Sequence, residues 1–412
     1  MEILVPLMAF GPLGVLVILA MTKGYAEEER SWLVTLLVTA LMLRLAFALL
    51  FVAFPDLRVF HEDATGYEIR GQMIASSWRG EGPPVDLGES NWGFLYLCGL
   101  IYYVFGRFQG NASGFNAILG TLLALLIYRL AKSLFHELIA RRAALLVALM
   151  PSMILWGSTA IKDVPVTFAI VVSLSSCVAL RKGLTLWNLT GVIVPLVAIQ
   201  AMRFYIMYFV IFAILVALVI DRGARAFTGA YRQIVLVVAF AGLFLLLGLA
   251  DRAEDDASRY LSLEYVSQYR RGMAMTAQSG FDLDVDISEP GSALAFLPVG
   301  LAHLLLAPFP WQMVSLRPLI AAPETIFWWT MVPATIRGIV FAFRKRFEET
   351  AALMVFSVSL ACAYSLVHGN VGSAFRQRAQ ILVFLFIFSA VGAYVSKARA
   401  AGIDPDKLVR DD

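Results

Sequence analysis

Residues Trp32 to Phe54 read WLVTLLVTALMLRLAFALLFVAF. Arg44 is the lone charge in this run, and a helix needs about 20 apolar residues to cross a bilayer core of roughly 30 Å. Comparable runs fall at Ile3 to Met21, Gly114 to Leu134, Ala143 to Ala160, Val164 to Leu180, Leu186 to Ala201, Phe204 to Ile220, Ile234 to Ala250, Pro323 to Phe343, Ala351 to Val367 and Ile381 to Ser396. The pattern predicts an all-α polytopic membrane protein of about eleven transmembrane helices. Composition agrees: of 412 residues 60% are hydrophobic and 15% charged, and mean hydropathy is +0.77, whereas soluble domains are about 45–50% apolar and about 25% charged. A soluble globular protein is excluded, and residues 1–412 read as one integral-membrane domain.

Charge sets the expected orientation. The basic clusters Arg129, Lys132, Arg141 and Arg142; Arg181 and Lys182; Arg222, Arg225 and Arg232; Arg344 to Arg346; and Lys397 with Arg399 share one side if Gly93 to Phe105 does not cross. That stretch, at about 13 residues, is short for a span. By the positive-inside rule this side is cytoplasmic, with the tail 397–412. Two long outer loops, 55–113 and 251–322, then share the opposite face and carry short interfacial helices. The expected location is the cytoplasmic (inner) membrane, multi-pass, with the loops facing the periplasm or exterior. Met1-Glu2 lacks a basic stretch, so Ile3 to Met21 reads as a first membrane helix rather than a removable signal.

Several function classes lose support. A net charge of +3, divided among loops, offers no basic track for nucleic acid. Cys98, Cys177 and Cys362 sit singly in apolar runs, and His61, His136, His303 and His368 are scattered, so no metal-ligand spacing appears and no cofactor is expected. Asp282-Leu283-Asp284-Val285-Asp286 opens like a calcium loop but has Ile287 and Ala293 where Gly and Glu are required; it reads as a solvated acidic surface. No internal repeat or two-fold hydropathy symmetry points to a transporter.

The first outer loop opens Phe60-His61-Glu62-Asp63-Ala64-Thr65-Gly66-Tyr67-Glu68, directly after a membrane helix. Thr65 and Glu68 have capping-box spacing, which predicts a short helix with Asp63 just ahead of its N-terminus. A carboxylate at the water–lipid boundary there can accept a proton from an acceptor hydroxyl; an ordinary solvated acidic loop is the competing reading.

From here the chain resembles bacterial members of the GT-C class, integral-membrane glycosyltransferases akin to aminoarabinose transferases and protein O-mannosyltransferases. The resemblance rests on an ordered series: Asp63, Tyr67 and Ala75; then Leu100 to Gly106; Asn116 to Gly120; Arg142 to Leu145; Ala148 to Ser152; and Ser158 to Asp163. Two departures stand out. The acid pair Glu62-Asp63 is reversed relative to the usual Asp-Glu, leaving open which is the base, and an additional N-terminal helix precedes the core. The resemblance implies transfer of a sugar from a polyprenyl-phosphate carrier to a lipid, glycan or protein acceptor on the outer face, with Asp63 as base.

Such a reaction needs cations for the leaving phosphate. Arg376 and Arg378, in the loop His368 to Arg378, are the first candidates, with snorkelling to lipid phosphates as the competing role; their spacing does not put both on one helix face. Arg203 and Lys162 follow, and His61 and Tyr67 complete the substrate-binding candidates. Asp163 is a further catalytic candidate or a helix N-cap before Pro165. Arg44 is expected to find a structural partner inside the protein. Competing functions are a polysaccharide polymerase or ligase using a polyprenyl-diphosphate donor, and a lipid or glycan flippase.

Overall fold

A computed structural model describes residues 5–54, 57, 62–85, 92–108, 110–181, 183–220, 262–275, 279–282, 284–313 and 316–405. The described elements are helices: α1 Val5–Met21, α2 Glu27–Ala53, α3 Glu62–Trp78, α4 Trp92–Phe105, α5 Asn111–Leu134, α6 Glu137–Leu149, α7 Pro151–Gly157, α8 Asp163–Leu180, α9 Leu186–Ile220, α10 Leu263–Met275, α11 Pro290–Leu306, α12 Leu316–Lys345, α13 Phe347–Val367, α14 Val371–Gln377 and α15 Ala379–Ala400.

Seven of these, α2, α5, α8, α9, α12, α13 and α15, are long and apolar enough to cross a membrane, and the bent pair α6–α7 makes an eighth. The expected run Ile234 to Ala250 lies outside the described residues, and α1, with 17 residues, is slightly shorter than the roughly 20 of a full crossing. The two runs expected at Leu186 to Ala201 and Phe204 to Ile220 form one helical stretch of 35 residues, broken at Arg203 (φ −157°, ψ 73°). Unbroken, it would extend about 52 Å, well beyond the roughly 30 Å of hydrocarbon. The break divides it into 186–202 and 204–220, each as long as α1.

The run Ala143 to Ala160, expected to be one straight span, is instead bent by 56° between α6 and α7. Pro151 is the cause, since it has no N–H to give the Val147 carbonyl. Arg44 compensates: its Nη2 donates to Val147 O at 3.1 Å and its Nη1 to Ala148 O at 2.9 Å and Ala40 O at 3.1 Å. On the other side of the break the Ser152 N–H donates to a carboxylate oxygen of Glu324, from α12. Arg44 thus has a structural partner as anticipated, but the partner is the backbone of a broken helix rather than a carboxylate. Gly120 and Gly157 admit it, because a Cβ at either would meet the Arg44 side chain.

Inside a bilayer, helices associate by close packing more than by the hydrophobic effect. Gly338 of α12 and Gly392 of α15 make the closest crossing: a methyl at Gly338 would strike the Phe388 carbonyl, and one at Gly392 the Ala334 carbonyl.

Two smaller apolar clusters hold the shorter helices in place. Ala64 and Ala75 of α3, Phe94, Cys98 and Tyr102 of α4, and Ala160 and Ile161 ahead of α8 form one, which seats the start of α3 beside the start of α8. Val266, Phe281, Ile287, Phe296 and Val371 are among the residues of the other, which joins the second loop to α14.

Candidate active site

The first turn of α3 and the first residue of α8 meet the short helix α14. Helix α3 begins at Glu62, so Asp63 lies within its first turn, and Thr65 sits too deep in the helix to be its cap. The Asp63 side chain is 55% exposed and accepts a hydrogen bond from Arg376 Nη1 at 2.6 Å. Arg376 Nε lies 3.6 Å from Asp163 Oδ2. On its other side Asp163 Oδ1 is 3.0 Å from Arg203 Nη2, both side chains about 5% exposed or less. Asp63, Arg376, Asp163 and Arg203 therefore form a continuous chain of alternating charge running from solvent into the protein.

Local structure explains each placement. Asn116 Nδ2 donates to the Thr159 and Ile161 carbonyls at 2.8 and 2.9 Å, holding the turn that leads into Asp163. Asp163 is not the N-cap of α8; that position belongs to Lys162, which makes no capping bond. The carboxylate is taken up by the arginines instead. Arg203 occupies the backbone break of α9, which frees its side chain from a helical row. Asn370 caps α14, accepting from Gly372 N at 2.8 Å, and Ser279 and Phe281 of the second loop bond to the same turn through Ser279 Oγ to Asn370 Oδ1 at 2.7 Å and Phe281 N to Gly369 O at 3.0 Å.

Electrostatics follow from burial and these partners. Burial lowers the Arg376 guanidinium, but Asp163 and Asp63 outweigh it and hold the group above the ordinary arginine value. Burial, with Arg203 beside it, pushes the Lys162 ammonium down to about 8. Burial, with Asp63 and Asp163, pushes the Tyr67 hydroxyl up to about 12; its ring stands edge-on to Phe94 at 4.9 Å. Tyr67 and Lys162 thus border the chain of charges.

Other candidates fall elsewhere. Arg378, 1% exposed, turns away from Arg376 and donates to Ala307 O at 2.7 Å and Leu305 O at 3.3 Å. Its Nη2 lies 3.9 Å from Glu324, tying it to the α6–α7 break. The two-residue spacing from Arg376 to Arg378 separates the two arginines, since residues i and i+2 do not share a helix face. His61 lies outside the described residues, as does the side chain of Glu62. Among the described residues no group of three or more His, Cys, Asp or Glu converges as metal ligands do. Sequence reasoning missed Glu324, whose signal was a lone carboxylate at the start of an apolar run, and gave no role to His368, a neighbour of the site discussed below.

Solved structures are similar to this fold, two of them as follows. One is the archaeal oligosaccharyltransferase AglB from Archaeoglobus fulgidus in complex with an inhibitory peptide and a dolichol-phosphate, with a TM-score of 0.53, 13% identity, and coverage of 94% of this chain and 53% of that one. The other is the Archaeoglobus fulgidus oligosaccharyltransferase in the apo form, with a TM-score of 0.50, 12% identity, and coverage of 93% and 54%. This chain spans about half the length of either, 53% and 54%. The chain is similar to both in fold. The family model for dolichyl-phosphate-mannose-protein mannosyltransferase matches residues 92–247, a stretch that contains Lys162, Asp163 and Arg203. No curated protein matches the chain.

Proposed function

We propose that this protein moves a sugar from a polyprenyl-phosphate-linked donor to an acceptor hydroxyl at the outer face of the membrane, with inversion. The observation that carries the reading is the Asp63–Arg376–Asp163–Arg203 chain, set in a fold similar to those of the two oligosaccharyltransferases. Asp63 is its exposed carboxylate and serves as the base: it takes the acceptor's proton, the acceptor oxygen bonds to the anomeric carbon, and the bond from that carbon to the phosphate oxygen breaks. Arg376, with Arg203 behind it, stabilises the departing polyprenyl phosphate. Asp163 is buried between two arginines and positions them. A single displacement on this plan inverts the anomeric centre.

Arg376 has two partners, and this gives the reaction an order. A phosphate that recruits Arg376 competes with Asp63 for it, and its arrival frees Asp63 Oδ2 to receive the acceptor hydroxyl. Donor binding therefore prepares the base. The outer face is supported by polarity along α8, which begins in the site at Asp163 and ends at the basic Arg181, about 27 Å away. Acceptor, sugar and carrier length are tested together by incubating purified protein in nanodiscs with labelled polyprenyl-monophosphate sugars. Product from wild type and none from Asp63→Asn supports the reading. Consumption of a diphosphate-linked oligosaccharide, with the monophosphate donors untouched, overturns it in favour of a polymerase.

A further inference from the structure

His368 ends α13 and lies two residues before Asn370, the cap of α14. It is 3% exposed, and its ring packs against Tyr364 with centroids 4.9 Å apart. One ring nitrogen carries the N–H and donates to the side chain of Gln377; the other, equally buried, has no hydrogen-bond partner among the described residues. Buried polar atoms in native proteins are almost always paired, so this nitrogen beside Arg376 marks a place where something else supplies the bond. Arg203, Arg376 and Asp163 are the charged groups within electrostatic reach of the ring. Burial, reinforced by the two arginines, pushes the imidazole down to about 3, so at neutral pH it carries one N–H donor and one bare nitrogen.

The unmet need defines the ligand. With the N–H on Gln377, the bare ring nitrogen requires a donor. A fully ionised phosphate oxygen only accepts, so it cannot meet that need; a hydroxyl can. We propose that His368 and Gln377 form a hydroxyl-binding subsite, taking a hydroxyl of the saccharide on the donor or of the acceptor while Arg376 takes the phosphate. The inference rests on the sugar-transfer reading and deepens it: Arg376 reads the charge of the carrier, and His368 reads what is attached to it.

The test compares affinities of the full-length protein in nanodiscs for bare polyprenyl phosphate, for a panel of polyprenyl-phosphate hexoses and pentoses, and for acceptor saccharides. In His368→Phe, which keeps a ring against Tyr364, affinity for the sugar-bearing lipid falls about tenfold, the loss of one hydrogen bond, while affinity for the bare phosphate is unchanged. His368→Gln, which keeps a donor and an acceptor, stays near wild type. Weakening confined to the acceptor assigns the subsite to the acceptor hydroxyl instead. Equal weakening for bare and sugar-bearing lipid, or none with any ligand, overturns the proposal. Should His368→Phe fold poorly, donor and acceptor analogues lacking one hydroxyl at a time are bound to wild type: one of them loses about tenfold, and uniform affinity across the set overturns the subsite. A wild type that binds sugar-bearing lipid through His368 yet transfers nothing keeps this inference and overturns the transferase. Turnover by wild type, with every affinity unchanged in His368→Phe, does the reverse.

Discussion

Arg376 Nη1 and Asp63 Oδ2 are 2.6 Å apart, although 313 positions separate them in the chain. One hydrogen bond thus joins α3 to α14, the short helix ahead of α15. In the proposed reaction the base and the phosphate-binding cation hold each other until the donor arrives.

Asp63→Asn is expected to lower turnover by roughly 10²–10⁴-fold, the range of a lost general base, with donor affinity retained or raised, since the carboxylate that competes for Arg376 is gone. Asp63 is largely exposed, so the loss of its pair with Arg376 costs at most about 1 kcal/mol of stability. Turnover assays beside thermal unfolding check this; unchanged activity removes Asp63 as base.

Arg376→Ala is expected to weaken donor binding more than Asp63→Asn does, and Arg376→Lys to recover only part of the loss, because an ammonium cannot make the paired bonds of a guanidinium. Donor titrations on the three variants decide it. Equal affinities across variants and wild type remove Arg376 from the phosphate site.

If a donor phosphate draws Arg376 from Asp63, acceptor binding depends on donor. Polyprenyl phosphate is expected to tighten acceptor affinity in wild type and to have no such effect in Arg376→Ala. Acceptor titrations with and without polyprenyl phosphate measure the coupling, and equal coupling in both proteins rejects the order.

The Arg44 joint makes a prediction about stability. Arg44→Leu strands the Val147 and Ala148 carbonyls and is expected to cost about 2–6 kcal/mol, at roughly 1–3 kcal/mol for each unsatisfied group. Pro151→Ala returns an N–H that can reach Val147, so Arg44→Leu with Pro151→Ala is expected to lose less than the two single variants combined. Strict additivity in unfolding measurements contradicts the proposed compensation.

His368 makes the protein sensitive to acid. Its folded value near 3 lies below the unfolded value near 6.5, so between these the unfolded chain binds more protons, and stability rises with pH across this window. Acidification from about 6.5 toward 3 is expected to destabilise wild type, and the His368→Phe variant less steeply. Identical slopes for the two proteins in pH-dependent unfolding exclude the buried neutral ring as the source.

Much of this protein is determined by its sequence alone. Whether a segment crosses a bilayer depends on its own length and apolarity, so Trp32 to Phe54, Gly114 to Leu134 and Val164 to Leu180 are legible as spans without knowledge of their neighbours. Asp63, Asp163, Arg203 and Arg376 are conspicuous for the same reason: charge at the end of an apolar run is costly to place and therefore noticeable. Their arrangement is a different matter. That Asp163 lies between Arg203 and Arg376, that Arg378 turns toward Glu324 while its near neighbour meets Asp63, and that Arg44 repairs a helix broken at Pro151 all depend on how helices far apart in sequence pack together. Hydrophobicity accumulates along a segment, but an ion pair exists only where close packing, such as that at Gly338 and Gly392, sets the helices within a few ångströms of one another.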